Sequence, residues 1–216
     1  MKLYGYFRSS AAFRVRIALN LKGISYEQAS IHLRKSEQRR PEYLALQPQG
    51  LVPALETDDG DVLIQSLAII EYLDETHPEP PLLPGHPAAR ARVRGLAQAV
   101  ACDIHPIDNL RVLRYLSHEL RQDEKGVEAW FNHWIKLGFD GIERILAEDG
   151  QAGEFCHGDA PSLADVCLVP QVYNAHRYPS FDMQAYPTIR RVFAKCMTLD
   201  AFERARPEQQ PDAEQG

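Results

Sequence analysis

The chain has 216 residues, 44% of them apolar, enough to bury the core of one large domain or two small ones without disulfide or metal support. Its formal charge of −6 argues against a nucleic-acid surface, and no apolar run approaches the roughly 20 residues of a membrane span, so neither nucleic acid nor membrane is expected as a partner. Cys102, Cys156, Cys167 and Cys196 form no CxxC pair or metal-ligand spacing, and the N-terminus carries no secretory pattern; free thiols, no metal and a cytoplasmic location are the expectation.

Alternation over Lys2 to Phe7 predicts a strand, which breaks at Arg8-Ser9-Ser10-Ala11-Ala12 into a helical run from Phe13 that ends near Lys22-Gly23. Tyr26 to Ile31 reads as a second strand. A polar stretch, Arg34 to Arg40, leads to a short helix opened by Pro41. Gln49 to Glu56 and Asp61 to Ile64 flank the turn Asp58-Asp59-Gly60 and predict a hairpin, after which Gln65-Ser66 opens a helix carrying Leu67, Ile70 and Leu73 to about His77. The order is βαβ, a helix, then ββα.

Five prolines between Pro78 and Pro87 mark a domain boundary, dividing the chain into residues 1–80 and 88–211. Everything beyond it reads as helix. Ala88 to Ala101 is the first; Trp130, Trp134, Leu137 and Gly141 mark one face of a second, beside Phe131, Ile135 and Ile142, and most of these aromatics are expected in the core. Ser162-Leu163-Ala164-Asp165 is a capping-box start to a third, in which Pro170 should produce a kink, and a fourth runs from about Tyr186 to Met197. The polar tail after Pro207 is expected to fray.

Three separated pieces of the first domain suit one kind of ligand. A strand that feeds a helix through Ser9 and Ser10 presents unpaired N–H groups, the positive end of a helix dipole and a hydroxyl donor, which together favour an anion or a thiolate. Val52-Pro53 lies between a glycine-containing loop and a strand, where a cis peptide would free the Val52 backbone to clamp an extended ligand. Gln65-Ser66 opens another helix with an amide and a hydroxyl, suited to a carboxylate. A small thiol peptide needs all three. Each piece also has a plain alternative: Ser9, Ser10 and Gln65-Ser66 as helix caps, and Pro53 as an ordinary loop proline. Tyr4 and Tyr6 could supply a hydroxyl, but their alternation favours packing. His105 could be a satisfied polar group, and Arg8 and Arg177 surface charges.

These residues resemble the zeta-class glutathione transferases, the class that includes maleylacetoacetate and maleylpyruvate isomerases. The likeness rests on Arg8-Ser9-Ser10 with Arg14-Val15-Arg16-Ile17-Ala18-Leu19, on Leu51-Val52-Pro53-Ala54-Leu55, on Gln65 to Leu73 and on Asp165 to Val172, and it extends from Met1 to about Pro211. It implies a thioredoxin-like N-terminal domain followed by an all-helical C-terminal domain, glutathione as cofactor, a small dicarboxylate oxo-acid as substrate, and a homodimer. Carried over, Ser9 supports the glutathione thiolate, with Ser10 and Ala11 completing the helix-entry loop. Val52 with Pro53 matches the backbone clamp, Gln65 and Ser66 the γ-glutamyl holders, and Gln38 a loop contact. Asp103 to Arg111 resembles a segment that reaches toward glutathione, placing His105, Asn109, Leu110 and Arg111 near it. Arg8 and Arg177 look like the pair that grips the substrate's carboxylates.

The reaction this implies is cis–trans isomerisation: thiolate addition turns the maleyl double bond into a rotatable single bond, and expulsion of the thiolate leaves the fumaryl product. Aromatic catabolism through tyrosine or gentisate is its implied setting. The family often carries a cysteine after the two serines. Here Ala11 stands there, so the cofactor sulfur has to act alone. A general transferase acting on small α-halo acids, and a non-catalytic binding protein of the same fold, are the alternatives.

Overall fold

In a computed structural model, which describes residues 1–214, β1 (Lys2–Gly5), β2 (Glu27–Ser30), β3 (Ala54–Glu56) and β4 (Val62–Ile64) form a four-stranded sheet in the order β2-β1-β3-β4. β1 is parallel to β2 and antiparallel to β3, and β3 is antiparallel to β4. The parallel pair requires a crossover, which α1 (Ser10–Leu21) supplies. Register places Leu3 opposite Leu55, both fully buried, while Lys2 and Tyr4 on the alternate face are less enclosed. Gly5 lets α1 come close: a Cβ there would lie 3.3 Å from the Ala12 Cβ.

β1 stops two residues short of the expected end. Tyr6 and Phe7 belong to the turn, and the ladder closes with the Ile31 N–H on the Gly5 carbonyl at 2.7 Å. β3 likewise starts only after Pro53, which has no N–H for a ladder. The polar stretch before α2 (Pro41–Leu46) folds as two 3-10 turns, Leu33–Lys35 and Glu37–Arg39. α3 (Ser66–Thr76) buries Ile69, Ile70 and Leu73.

The chain divides into two compact units, one of Met1–Pro81 together with the segment from Met197 onward, the other Leu82–Cys196. The helical domain expected to reach residue 211 thus ends earlier in this division, and the segment from Met197 groups with the sheet-containing unit. Its partners are polar: Arg16 Nε donates to the Ala205 carbonyl at 2.9 Å and Asn20 Nδ2 to that of Ala201 at 2.9 Å. The tail is ordered rather than frayed through the described residues. Gln210 is buried and donates to the Arg204 and Arg206 carbonyls, and Asp212 accepts from Phe7, Gln28 and Ser30. Low hydropathy suggested fraying because composition does not register polar side chains that find specific partners.

The second unit contains α4 (Pro87–Gln98), a π-helical turn (Ala99–Ile104), α5 (His105–Asp108), α6 (Leu110–His118), α7 (Glu124–Glu148), α8 (Leu163–Ala175) and α9 (Pro187–Cys196); α10 (Asp200–Glu203) belongs to the first. The buried stripe of α7 is Val127, Phe131, Ile135, Phe139, Ile142 and Leu146. On the face marked by Trp130, Trp134, Leu137 and Gly141, Leu137 and Gly141 are exposed and the two tryptophans, expected in the core, are only half-buried. One residue of phase separates the two stripes, which is about 100° on a helix. α8 is enclosed on all sides and runs unbroken through Pro170, so the proline removes one hydrogen bond without ending the helix. Asp165 accepts from the N–H and hydroxyl of Ser162 at 2.9 and 2.7 Å, closing the start of α8 as its spacing predicts. Among the described residues no helix is long and apolar enough to cross a membrane.

Candidate active site

Ser9 caps α1 in an extended conformation, its Oγ accepting from the Ala12 N–H at 3.2 Å. The plain reading as a cap is therefore realised, but it uses only a lone pair. The hydroxyl proton stays available for an anion, beside the N–H groups of the first turn at Ser10 and Ala11. Ser9, Ser10 and Ala11 are half-buried and Arg8 is exposed. The preceding turn is closed by the Ser9 N–H on the Tyr6 carbonyl at 2.9 Å. Tyr4 and Tyr6 are engaged elsewhere: Tyr4 Oη donates to Glu56 at 2.8 Å, Tyr6 is buried in the turn after β1, and burial pushes both phenols above their ordinary range.

Val52-Pro53 is cis, the geometry the sequence left open. The loop before it is held by Tyr43 Oη, which donates to the Leu51 carbonyl at 2.6 Å, and by Gly50 at φ +61°, where a Cβ would come within 2.9 Å of the Gln38 carbonyl. Gln38 Oε1 is buried with no hydrogen-bond partner. Gln65 has φ +71°, a left-handed value uncommon outside glycine, and its amide donates to Gln49 Oε1 at 2.9 Å. Ser66 follows as the buried first residue of α3, its Oγ accepting from Arg14 Nη1 at 3.2 Å. These bonds tie down the loop to Pro53, Gln65, Ser66 and α1 within the first unit, with the Gln38 backbone close against Gly50.

The remaining candidates lie in the helical unit. His105 opens α5. Asn109 caps α6, its Oδ1 accepting from the Val112 N–H at 3.3 Å; Leu110 is half-buried and Arg111 exposed. The segment is anchored by Trp130 Nε1 on the Ile107 carbonyl at 2.8 Å and by buried Asp108, which accepts from Gln171 at 2.7 Å and Asn174 at 3.3 Å. Arg177 is exposed just past α8, with its guanidinium 5.7 Å from the Tyr178 ring centre. All four cysteines lie in this unit, so no protein thiol accompanies Ser9 in its own.

Sequence reasoning assigned no supporting role to the residues that brace these segments: Arg14, Arg16, Tyr43 and Asp212 in the first unit, and Asp108 in the second. One signal was present. Two arginines inside an otherwise apolar helix must bury charge, and a buried guanidinium has to find acceptors.

Two family models match the chain: Glutathione S-transferase, N-terminal domain, over residues 3–81, and Glutathione S-transferase, C-terminal domain, over residues 124–195. A maleylpyruvate isomerase of Ralstonia sp. is 52% identical over 99% of this chain and 100% of its own length. A holo structure of maleylpyruvate isomerase, described as a bacterial glutathione S-transferase of the zeta class, superposes with a TM-score of 0.96 at 51% identity, covering 99% of this chain and 100% of the other. A maleylacetoacetate isomerase from Methylobacterium extorquens AM1, solved with bound malonate and glutathione, gives 0.96 at 45% identity with full coverage of both chains (100% and 100%).

Proposed function

The chain belongs to the glutathione S-transferase family, and from that premise we propose how its residues serve the zeta-class reaction. It is a glutathione-dependent cis–trans isomerase of the maleylacetoacetate and maleylpyruvate type. The observation that carries this is 52% identity, across essentially its whole length, to a maleylpyruvate isomerase.

The first unit suits the cofactor. Two helix N-termini, at Ser10 and Ser66, favour a thiolate and a carboxylate, and the buried, unpartnered Gln38 Oε1 is an acceptor waiting for a donor. Ser9, Ser10, Ala11, Gln38, Val52, Pro53, Gln65 and Ser66 would hold glutathione, with His105, Asn109, Leu110 and Arg111 contributing from the helical domain. When bound, glutathione supplies the sulfur that adds to the maleyl double bond and departs after rotation. Ser9 donates its hydroxyl proton toward that sulfur, and the first turn of α1 adds its dipole, so the thiolate is favoured at neutral pH. Arg8 and Arg177 bind the substrate's carboxylates, a task that suits a planar fork that never deprotonates. Ala11 excludes a competing protein thiol.

Residues 1–80 supply most of the cofactor's contacts, and the helices from residue 88 are mainly the substrate-binding domain. The enzyme acts as a cytoplasmic homodimer in aromatic catabolism, through tyrosine or gentisate. The test is kcat/KM for both maleyl substrates with catalytic glutathione, on the native protein and on Ser9→Ala and Arg177→Ala. Loss in both variants supports the assigned roles and unchanged rates overturn them. Stoichiometric consumption of glutathione would instead mark a transferase.

A further inference from the structure

Phe7 sits between the end of β1 and Ser9, and both of its backbone polar groups are held by side chains from elsewhere. Its N–H donates to Asp212 Oδ2 at 3.1 Å, and its carbonyl accepts from Arg16 Nη2 at 3.0 Å. The Tyr6–Phe7 peptide is thus fixed at both ends, since the Tyr6 carbonyl takes the Ser9 N–H at 2.9 Å. The β1–β2 ladder ends one step earlier, at the Ile31 to Gly5 bond, so Asp212 supplies the acceptor that the sheet no longer does.

Asp212 is itself well seated. Its Oδ1 accepts from Gln28 Nε2 at 2.9 Å and its Oδ2 from Ser30 Oγ at 2.9 Å, both on edge strand β2. Arg16 joins the same assembly from the other side, with Nε on the Ala205 carbonyl at 2.9 Å. Two points of the C-terminal segment therefore converge on one turn: Asp212 directly, and Ala205 through a buried guanidinium.

We propose that Asp212 is a positioning residue of the isomerase, holding the Tyr6-to-Ser9 turn so that the Arg8 side chain and the Ser9 hydroxyl present themselves correctly. This rests on the assignment of Ser9 to the glutathione thiolate. A negative charge near a thiolate would by itself hinder ionisation, so the carboxylate serves as an acceptor and not as a source of favourable field. Geometry is where small errors are costly, because a misplacement of about 1 Å can cost on the order of a hundredfold in rate.

The experiment compares wild type with Asp212→Ala, Asp212→Asn and Ser9→Ala in the full chain. The readouts are the pH-dependent ultraviolet absorbance of enzyme-bound glutathione thiolate, kcat and KM with catalytic glutathione, and thermal unfolding. Asp212→Ala is expected to move the thiol midpoint to higher pH and lower kcat by roughly fivefold or more, with a smaller change in KM. Asp212→Asn keeps an acceptor oxygen and restores both to within about twofold. A wild-type thiolate signal in Asp212→Ala, or a lowered melting temperature as its only effect, overturns the proposal, as does an Asn variant that behaves like Ala. If Ser9→Ala keeps the full signal, the reading of Ser9 fails and this proposal with it; if only Asp212→Ala keeps it, this proposal alone fails.

Discussion

Arg14 Nη1 donates to Ser66 Oγ across 3.2 Å in the interior of the sheet-containing unit, tying the second turn of α1 to the first residue of α3. Arg14 is 1% exposed and Ser66 6%. A cation bonded to the hydroxyl oxygen strengthens that hydroxyl as a donor toward a carboxylate, because polarisation along a hydrogen-bond chain is cooperative in a low-dielectric setting. Ser66→Ala removes the donor from the ligand and an acceptor from a buried guanidinium. Its KM for glutathione is expected to rise about tenfold with a smaller change in kcat, as for a contact present equally in ground and transition states. Titration calorimetry with glutathione checks the affinity directly, and an unchanged Kd would remove Ser66 from the cofactor site.

Ser9 accepts from the Ala12 N–H, and under the proposed function it has a second, separable duty, donating to the sulfur. Ser9→Ala loses both, Ser9→Asp only the second. Without the donor, the bound thiol should ionise nearer its free value of roughly 8.5, so the rising limb of kcat/KM moves to higher pH. At neutral pH the loss is on the order of a hundredfold, the scale seen when one preorganised donor is deleted. Thermal unfolding should fall by about 1 kcal/mol in Ser9→Ala through the missing cap and be largely kept in Ser9→Asp. Activity retained in Ser9→Asp would mean that capping is all Ser9 does.

Two glycines of α7 should respond oppositely to the same change. Gly141 is exposed with nothing within 4 Å of an added Cβ, so Gly141→Ala gains helix propensity, stabilising by about 0.8 kcal/mol. At Gly138 the Cβ would lie 2.3 Å from Ile104 Cδ1 and 2.4 Å from its Cγ1, and Ile104 is 2% exposed. Overpacking there costs about 1–3 kcal/mol and exceeds the propensity gain. Ile104 directly precedes His105, so activity should fall along with stability. Chemical denaturation of the two variants decides the matter: equal signs would contradict the packing at Gly138.

Arg92 grips Asp149 through two bonds, Nε to Oδ2 at 2.5 Å and Nη2 to Oδ1 at 3.1 Å, and also donates to the Cys156 carbonyl at 2.8 Å. Hydrogen bonding from Arg92 holds the Asp149 carboxyl below its ordinary range. A carboxyl depressed in the folded state contributes stability above its unfolded pKa, and that contribution disappears as pH falls through the folded one. Arg92→Met is therefore expected to lower the melting temperature more at pH 7 than at pH 3. The bond to Cys156 does not titrate with Asp149 and leaves a residual difference in acid. A pH-independent gap would show that Asp149 contributes nothing through Arg92.

Much of the fold was legible because periodicity reports burial. The first strand, the hairpin around Gly60 and the Ser162–Asp165 cap all follow from spacing alone, whereas the pairing of Leu3 with Leu55 does not. On α7 the sequence left two adjacent stripes side by side, and the structure buries the one through Phe131. Trp130, Leu137 and Gly141 fit the helical period as well as Phe131, Phe139 and Ile142 do, and hydropathy cannot choose between adjacent apolar registers. At the site, Ser9, Val52-Pro53 and Gln65-Ser66 stood out because turn and helix-entry chemistry is local in sequence. What supports them did not, since Arg14, Arg16, Tyr43 and Asp212 act through single long-range bonds that leave no periodic trace.

The sequence by itself determined which segments become strands and helices, and which turns and helix entries stand out as candidates for a site. Each of those is a choice among neighbours a few residues apart. Only the tertiary structure decided that the tail after Pro207 is held by polar bonds, that Asp212 reaches Phe7 some two hundred residues away in sequence, and that Arg14 and Arg16 are buried. Those outcomes depend on which distant acceptors come within about 3 Å, and hydrogen-bond reach is a property of the folded arrangement that no local pattern encodes.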